Sequence, residues 1–275
     1  MILDGKIVKE QILDELKEEV SHLSVKPKFV VIQVGNNEAS NVYIRQKCNM
    51  CSYIGYDYEH IKLDIDVDTK DILSVIDKLN KDDLVNGILV QLPLPEHIDT
   101  NIVLNSISFL KDVDGLTDIN NGMLFHNKNA LYSCTPSGVM ELLDRYNISL
   151  SGKHVVIVGR SDLVGKPMSV MMLNKDATVT VCHSKTRNLE KYTKMADILV
   201  VAVGRPKFIT ENMISDDTVV IDVGISQTEN GLCGDVDFES IKEKCSFITP
   251  VPGGVGPMTV AILAKNILKA YRMQK

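Results

Sequence analysis

The stretch at residues 155–167, VVIVGRSDLVGKP, constrains the fold of this chain more than any other. Four β-branched residues lead into Gly159, a polar turn follows, and Gly165 precedes a segment with a helical pattern. This order of strand, glycine turn and helix predicts a parallel α/β sheet, and such a turn at a helix N-terminus suits a phosphate group. The two glycines do not follow a G-x-G-x-x-G pattern. An ordinary turn of a parallel sheet is therefore an equally good interpretation.

Strand and helix patterns alternate along the chain in two series. The first series predicts strands at 29–34, 56–63 and 87–91 and helices at 6–23, 39–53 and 69–79, with Gly55 as a helix C-cap. The second series predicts a helix at 140–146, strands at 154–158, 178–182, 198–202 and 218–222, and helices at 167–175 and 189–195. We therefore predict two α/β domains, each built on a parallel sheet.

Two further segments complete the predicted domain organisation. The polar, turn-rich segment at 108–122 separates the two series and is the candidate domain boundary. The last predicted helix is amphipathic, and its apolar face includes Val260, Leu263, Ile267 and Tyr271. A helix of this length and pattern is expected to pack back on the first domain.

Charge and cysteine content exclude several classes of protein. The formal net charge of -6 argues against extensive nucleic-acid binding, and no apolar run approaches the roughly 20 residues that span a bilayer. The N-terminus lacks the uninterrupted apolar core of a signal peptide, so we expect a cytoplasmic protein with reduced cysteines. The Cys48–Cys51 pair has no second pair or histidine at ligand spacing, so no metal site is predicted.

Tyr43 and Lys47 lie four residues apart in the second predicted helix and therefore share one face. A phenol beside an ammonium group can bind a polarised substrate and relay a proton. An exposed lysine beside a partly buried tyrosine is the alternative interpretation. Short-chain dehydrogenases carry a Tyr-x-x-x-Lys pair after the nucleotide-binding turn, whereas this pair precedes that turn, which argues against that family.

Polar residues also adjoin the third predicted strand. Gln91 lies at its carboxyl end, immediately before a proline-rich segment, where ligands of open α/β sheets bind, although it could simply begin a loop. Asp112 and Asp114 flank Val113 in KDVDGL. A carboxylate there could accept two N–H bonds from an amino-pyrimidine edge, and turn chemistry ahead of Gly115 is the alternative.

Residues after the second strand of the second series bear on cofactor choice. Sites selective for NAD usually place an acidic residue there, whereas this chain has Ser184, with Arg160, Lys185 and Arg187 nearby in sequence. A positive, hydroxyl-bearing pocket favours the 2′-phosphate of NADP, and a solvated basic loop is the alternative. The segment at 250–259, with three glycines and three prolines, is either a rigid loop that approaches a planar ligand or a stiff linker.

Nine segments occur together along the chain, in the order ASNVYIRQK, GILVQLPLP, KDVDGL, CTPSG, VVIVGRSDLVGKP, VTVCHSKT, ADILVVAVGRP, VIDVGI and PVPGGVGPMT. In these segments the chain resembles the bifunctional methylenetetrahydrofolate dehydrogenase/methenyltetrahydrofolate cyclohydrolase family over nearly its whole length. The resemblance implies oxidation of 5,10-methylenetetrahydrofolate to 5,10-methenyltetrahydrofolate with NADP, then hydrolysis to 10-formyltetrahydrofolate. This chemistry belongs to one-carbon metabolism and purine biosynthesis.

The resemblance also implies roles for particular residues. Lys47 would be the catalytic lysine of the cyclohydrolase step, Tyr43 would stack on or orient the folate, and Gln91 would hold Lys47 and the substrate. Asp114 would bind the amino edge of the pterin. The further implied substrate contacts are Val90, Leu92, Pro252, Gly253, Gly254, Val255 and Gly256. The implied NADP contacts are Gly159, Arg160, Ser161, Ser184, Ile225 and Thr259.

Domains and assembly follow from the same resemblance. Residues 1–118 with 257–275 would form the folate-binding catalytic domain, and residues 119–256 would form a Rossmann-like NADP-binding domain. The resemblance implies a homodimer formed through the NADP-binding domain, with no nucleic-acid or membrane partner. Ser137 in CTPSG stands where the family commonly has a basic residue, so cofactor affinity would be lower if that residue holds phosphate.

Two rival functions make different use of the same residues. A shikimate-dehydrogenase-like NADP oxidoreductase also has a substrate domain ahead of a nucleotide domain, but the Tyr43–Lys47 pair, Asp114 and PVPGGVGP argue against it. A catalytically inactive nucleotide-binding regulator would have no use for Lys47, Gln91 and Asp114 together.

Overall fold

The structure is a computed structural model that describes residues 1–229 and 231–275. In chain order its elements are α1 (Gly5–Ser21), β1 (Lys28–Val34), α2 (Glu38–Ile54), β2 (Asp57–Leu63), α3 (Thr69–Lys81), β3 (Val85–Val90), α4 (Thr100–Asn105), α5 (Asp118–Phe125), α6 (Cys134–Arg145), β4 (His154–Val158), α7 (Gly165–Leu173), β5 (Thr178–Cys182), α8 (Leu189–Thr193), β6 (Ile198–Val201), a 3-10 turn (Glu211–Met213), β7 (Val219–Asp222), β8 (Ser226–Thr228), β9 (Gly231–Cys233), α9 (Phe238–Ile241), β10 (Phe247–Ile248) and α10 (Val255–Met273).

The elements form two compact units, which confirms the predicted two-domain α/β fold. The three-stranded unit comprises Gln11–Tyr132 and Val260–Lys275, and the five-stranded unit comprises Met1–Glu10 and Ser133–Thr259. No helix in the described part of the chain is long and apolar enough to cross a membrane.

The sheet of the three-stranded unit has the order β2-β1-β3, and both strand pairs are parallel. The central strand β1 is rich in β-branched and aromatic residues, and all six residues of the edge strand β3 are buried. The chain moves to one side of β1 for β2 and to the other side for β3. This change of direction creates a switch point at the carboxyl ends of β1 and β3, where ligands of such sheets bind.

Helix α2 brings the predicted Tyr43–Lys47 pair to this unit. Its N-cap is Asn37, whose side chain accepts a hydrogen bond from the N–H of Ser40 at 3.0 Å. Its C-cap is Gly55 in the left-handed conformation (φ +91°), as the sequence predicted. The helix is therefore defined at both ends by local signals in the sequence.

The C-terminal part of α10 packs on the three-stranded unit, which confirms that prediction. The hydroxyl of Tyr56 donates to the carbonyl of Ala264 at 3.0 Å, and the Asn266 amide donates to the carbonyl of Val113 at 2.9 Å. Leu263, Ile267 and Tyr271 of the predicted apolar face are buried, and Val260 is half-buried.

The five-stranded unit has the strand order β10-β7-β6-β4-β5, and all of its strand pairs are parallel. Numbered within the unit, this order is 2-1-3-4-5, a doubly wound arrangement with its switch point between β4 and β6. The turn after β4 is the glycine turn on which the prediction of a nucleotide site rests. The fold therefore presents that turn at the ligand-binding edge of the sheet.

The units differ from the predicted division at three places, and long-range hydrogen bonds explain each. Residues 1–10 belong to the five-stranded unit, since the N–H of Leu3 donates to the carbonyl of Ile248 at 2.8 Å. Residues 119–132 belong to the three-stranded unit, where the Asn120 amide donates to Asp112 at 2.9 Å. Residues 257–259 stay with the five-stranded unit, where the Thr259 and Thr135 hydroxyls lie 3.1 Å apart.

Helix α6 begins at Cys134, six residues before the predicted start at 140. Pro136 lies in its first turn, where its missing N–H is not needed for the helix. Gly138 is buried and closely approached by Met258, because a side chain at position 138 would lie 2.9 Å from the Met258 Cβ. Proline and glycine here mark a helix start and a close contact.

Candidate active site

Lys47 and Gln91 meet at the switch point of the three-stranded sheet. The Lys47 ammonium group donates to Gln91 Oε1 at 2.9 Å. Gln91 is held in turn, because its backbone N–H donates to the carbonyl of Ile32 at 2.8 Å and its amide donates to the carbonyl of Leu92 at 2.7 Å. The backbone thus fixes the orientation of the Gln91 amide, so that its oxygen faces the lysine.

Tyr43 lies one helical turn before Lys47 on α2, and 48% of its surface is exposed. A large exposed aromatic ring beside a half-buried lysine offers a flat apolar surface for a planar ligand. Val90, the other implied contact on this side, is buried as the last residue of β3, while Leu92 is half-buried.

Asp112 and Asp114 have different environments. Asp112 is buried, and its carboxylate accepts hydrogen bonds from the N–H groups of residues 115, 116 and 117 and from the Asn120 amide, at 2.8–3.2 Å. Asp114 is half-buried. An isolated parallel bridge joins Ile88 of β3 to Asp112, two residues before Asp114. Asp112 therefore holds the loop together, and Asp114 is the less buried of the two carboxylates.

A buried glutamine that the sequence analysis missed lies under the same edge. Gln33 on β1 is 1% exposed, its amide donates to Asn41 Oδ1 at 2.8 Å, and its oxygen lies 2.9 Å from His60 Nε2. These hydrogen bonds tie the first turns of α2 to β1 and β2. A polar residue within the apolar run KFVVIQV was the available signal.

In the five-stranded unit, the turn after β4 is packed too closely for side chains at its glycines. Gly159 has φ +129°, and a Cβ there would overlap the carbonyl oxygen of Ala202. A Cβ on Gly165 would overlap the carbonyl of Gly159. Ser161 closes the turn, since its hydroxyl accepts from the N–H of Val164 at 3.2 Å. The backbone of this turn therefore carries no side chain at these two positions, which suits close approach by a phosphate.

The predicted NADP-selecting side chains are exposed around this turn. Arg160, Ser184, Lys185 and Arg187 all face solvent. The loop that carries the last three is ordered by Thr186, whose hydroxyl accepts from the N–H of the residue that follows β5 at 2.9 Å. No acidic side chain stands between residues 182 and 189. This part of the unit thus offers positive charge and hydroxyl groups to an anionic ligand.

The remaining implied contacts of this unit lie at the start of α10. Gly256 is in its first turn, and a Cβ there would lie 3.5 Å from the exposed side chain of Ile225. Thr259 pairs with Thr135 near the start of α6, and Ser137 in the same helix is half-buried. Pro252, Gly253 and Gly254 directly precede the helix, with Pro252 exposed and both glycines buried.

Two buried carboxylates organise the loops after β6 and β7, and the sequence analysis missed both. Asp235 is 0% exposed and accepts from the N–H groups of residues 203–205 at 2.6–3.0 Å. Asp222 accepts from the N–H groups of Gly224, Asp235 and Val236 at 2.9–3.1 Å. The loop after β7 carries the implied NADP contact at 225. Acidic residues beside glycine in VIDVG and CGDVD were the available signal.

The buried position of Asp222 makes the stability of this unit depend on pH. Burial, together with the neighbouring Asp235, raises the pKa of Asp222 to about 7, against the opposing effect of three backbone N–H groups. A raised pKa in the folded state stabilises the fold most below about pH 4, and this contribution is lost as the pH rises through 7.

We expect the stability advantage of the wild type over Asp222→Asn to shrink by about 2–4 kcal/mol between pH 4 and pH 8. Urea unfolding at a series of pH values measures this difference. Asp216→Asn, at an exposed carboxylate, is the control and should show no such trend. A difference between wild type and Asp222→Asn that stays constant with pH would contradict the assignment.

Neither the cysteines nor the acidic residues form a metal centre in the described residues. No group of three or more His, Cys, Asp or Glu side chains there could hold a metal ion. Cys48 and Cys51 lie on α2 as free thiols, and burial raises the pKa of both.

Comparison with known proteins adds evidence independent of this geometry. A family model described as the tetrahydrofolate dehydrogenase/cyclohydrolase catalytic domain matches residues 3–114, and one described as the NAD(P)-binding domain of the same family matches residues 133–275. The bifunctional protein FolD of Agathobacter rectalis is 51% identical over 98% of this chain and 99% of its own.

Solved structures resemble the whole chain as well. The crystal structure of the bifunctional enzyme FolD, methylenetetrahydrofolate dehydrogenase/cyclohydrolase, from Campylobacter jejuni has a TM-score of 0.98 and 44% identity, and covers 100% of this chain and 99% of its own. The Trypanosoma brucei methylenetetrahydrofolate dehydrogenase-cyclohydrolase, complexed with NADP cofactor and inhibitor, has a TM-score of 0.93 and 35% identity, with coverage of 99% and 97%.

Proposed function

The chain belongs to the tetrahydrofolate dehydrogenase/cyclohydrolase family, and from this premise we propose how its residues act. It is a bifunctional enzyme that oxidises 5,10-methylenetetrahydrofolate with NADP and hydrolyses the 5,10-methenyl product to 10-formyltetrahydrofolate. We assign folate binding and the reacting groups to the three-stranded unit, and NADP binding to the five-stranded unit.

The hydrogen bond between Lys47 and Gln91 is the observation that carries the assignment of the reacting group. It holds an amine at the carboxyl edge of the three-stranded sheet, one helical turn from the exposed ring of Tyr43. Asp114 would bind the amino edge of the pterin through two N–H bonds, and Tyr43 would stack on the folate. Leu92 and the backbone at Val90 would supply further substrate contacts in the same unit.

The oxidation step requires alignment more than acid–base chemistry. Two nitrogen lone pairs on the methylene carbon already favour loss of hydride, so the enzyme mainly needs to hold that carbon against the nicotinamide. In this proposal Gly159, Arg160, Ser161, Ser184, Ile225 and Thr259 position the cofactor. NADP supplies the hydride acceptor when it is bound.

The hydrolysis step requires a water molecule to be delivered to a cationic carbon and a proton to be moved. Repulsion from the cationic methenyl substrate favours the neutral, proton-accepting form of the Lys47 amine. Gln91 would keep that amine pointed at the reacting carbon. The same lysine would then take a proton from the attacking water and return it to N5 as the bond between N5 and the one-carbon unit breaks, which leaves the formyl group on N10.

Incubation of the enzyme with methylenetetrahydrofolate and NADP tests the proposal as a whole. We expect NADPH to form together with methenyltetrahydrofolate and then 10-formyltetrahydrofolate. Binding of NADP without turnover of any folate would contradict it and would favour the inactive regulator considered above.

Arg160 is proposed to select NADP through its 2′-phosphate. Arg160→Ala should raise the KM for NADP about tenfold or more and leave the KM for NAD unchanged, because only NADP carries the phosphate. Initial rates with each cofactor measure both values. Lys175→Ala removes a positive charge near the other end of α7 and serves as the control. A clear preference of the wild type for NAD would contradict this role.

We also propose a cytoplasmic homodimer formed through the five-stranded unit. Strand β5 lies at the edge of its sheet, and apolar side chains are exposed there and on α7, with Val181 at 38% and Leu173 at 62%. An apolar edge strand invites pairing with a second chain. The six cysteines are free thiols, as expected in a reducing cytoplasm.

Val181→Glu should convert the proposed dimer to a monomer, because it places an unpaired charge at the centre of the apolar edge. Light scattering coupled to size-exclusion chromatography measures the mass. Leu232→Glu changes an exposed apolar residue elsewhere in the same unit and should leave the mass unchanged. A wild type that elutes as a monomer at micromolar concentration would contradict the dimer.

A further inference from the structure

A tight turn directly after β5 carries two of the side chains that bear on cofactor choice. The N–H of Thr186 donates to the carbonyl of His183 at 2.8 Å, so residues 183–186 form a β-turn with Ser184 and Lys185 at its two central positions. The Thr186 hydroxyl closes the same turn from the other side, because it accepts from the N–H of His183 at 2.9 Å. The direction of the Ser184 and Lys185 side chains therefore depends on this turn.

The 183–186 turn lies beside the glycine turn that follows β4. Val158 and Cys182 are paired as the last residues of their strands, and the N–H of Gly159 donates to the carbonyl of Cys182 at 2.9 Å. Both turns thus begin at the same level of the carboxyl edge of the sheet, where a dinucleotide binds in this class of fold. Arg160 and the 183–186 turn belong to one edge of the five-stranded unit.

His183 holds this turn with its side chain as well as its backbone. Its Nδ1 accepts a hydrogen bond from the N–H of Lys185 at 3.2 Å. The imidazole thereby takes the place of the Asn or Asp side chain that often accepts from the N–H two residues later in a turn. A ring nitrogen that accepts a hydrogen bond carries no proton, so this contact requires the neutral tautomer protonated on Nε2. The ring is half-buried, whereas Ser184 and Lys185 are exposed.

We propose that His183 is a positioning residue for cofactor selection, which holds the 183–186 turn so that Ser184 and Lys185 face the 2′-phosphate of NADP. The inference rests on the proposed selection of NADP at this edge. NAD lacks the 2′-phosphate and gains nothing from the position of these two side chains. Loosening the turn therefore weakens the binding of NADP and leaves the binding of NAD as it was.

Two other roles for His183 make different predictions. If the ring only stabilised the unit, its loss would affect the binding of both cofactors to the same degree. If the imidazole itself bound the phosphate, no residue without an imidazole could replace it. A positioning role is lost with the acceptor at Nδ1 and is restored by any side chain that accepts from the same N–H.

Isothermal titration of the whole enzyme with NADP and with NAD separates these roles. His183→Leu removes the acceptor and should raise the Kd for NADP about two- to tenfold, the range expected for one lost hydrogen bond, with the Kd for NAD unchanged. His183→Asn supplies a carbonyl oxygen to the same N–H and should bind NADP nearly as tightly as the wild type. Melting temperatures measured without cofactor should stay close to that of the wild type for both variants.

A control and three contrary outcomes complete the test. His22→Leu, at an exposed histidine of the three-stranded unit, should bind both cofactors as the wild type does. An equal rise in Kd for both cofactors in His183→Leu, or no rise for either, would overturn the positioning role. So would a loss in His183→Asn as large as that in His183→Leu. A wild type that binds NADP no more tightly than NAD would overturn the proposed selection of NADP, and this inference with it.

Discussion

Replacing Lys47 by methionine is expected to lower the rate of methenyltetrahydrofolate hydrolysis by about 10²- to 10⁴-fold, the usual effect of removing a group that transfers a proton. The dehydrogenase rate should fall much less, because hydride transfer depends on alignment and not on an acid or base. Absorbance of the methenyl substrate follows the first activity, and NADPH formation follows the second. The ratio of the two activities is the diagnostic quantity.

Two further variants identify the cause of such a loss. Lys78→Met, at an exposed lysine on α3, should leave both activities unchanged. Gln91→Leu removes the hydrogen bond to Lys47 and should also reduce hydrolysis more than oxidation, by a smaller factor than Lys47→Met. Normal hydrolysis by Lys47→Met would exclude Lys47 as the reacting group, whatever its effect on oxidation.

Asp114 and Asp112 should respond in opposite ways to the same substitution, although they are two residues apart. Asp114→Ala is expected to raise the KM for the folate about ten- to hundredfold, since a charged acceptor of two N–H bonds is lost. Its thermal stability should stay close to that of the wild type. Steady-state kinetics and thermal unfolding of the same preparation measure both quantities.

Asp112→Ala is the matched comparison and should mainly destabilise the fold. Four hydrogen-bond donors would lose their buried acceptor, which costs about 3 kcal/mol or more. The expected result is a lower melting temperature with a nearly unchanged KM in the fraction that remains folded. An Asp114→Ala variant with unchanged KM would remove Asp114 from the pterin site.

Local sequence patterns were sufficient to predict β1 to β7 and most of the longer helices, but not the short strands β8, β9 and β10. The runs at 154–158 and 178–182 match β4 and β5 at both ends, because β-branched residues bounded by glycine or polar turns favour a strand. Gly55 was predicted as a C-cap for a similarly local reason, since the left-handed conformation favours glycine.

Features that depend on distant partners could not be predicted in this way. Asp235 holds the loop at 203–205, some thirty residues earlier in the chain, and Gln33 bonds to His60 on another strand. The assignment of residues 1–10 to the five-stranded unit depends on the contact between Leu3 and β10. The Tyr43–Lys47 spacing predicted a shared helix face, but only the fold showed that Gln91 lies within hydrogen-bond distance of Lys47.

In the glycine turn after β4, the close approach of the cofactor and the choice of cofactor depend on different residues. Gly159 and Gly165 set how closely any dinucleotide approaches the backbone. The packing around them leaves no room for a side chain at either position. Arg160 and Ser184, by contrast, are exposed and support no part of the core. Mutations at these two positions should therefore carry little cost in stability. Cofactor preference can therefore change during evolution through single surface substitutions, while the fold of the turn stays the same.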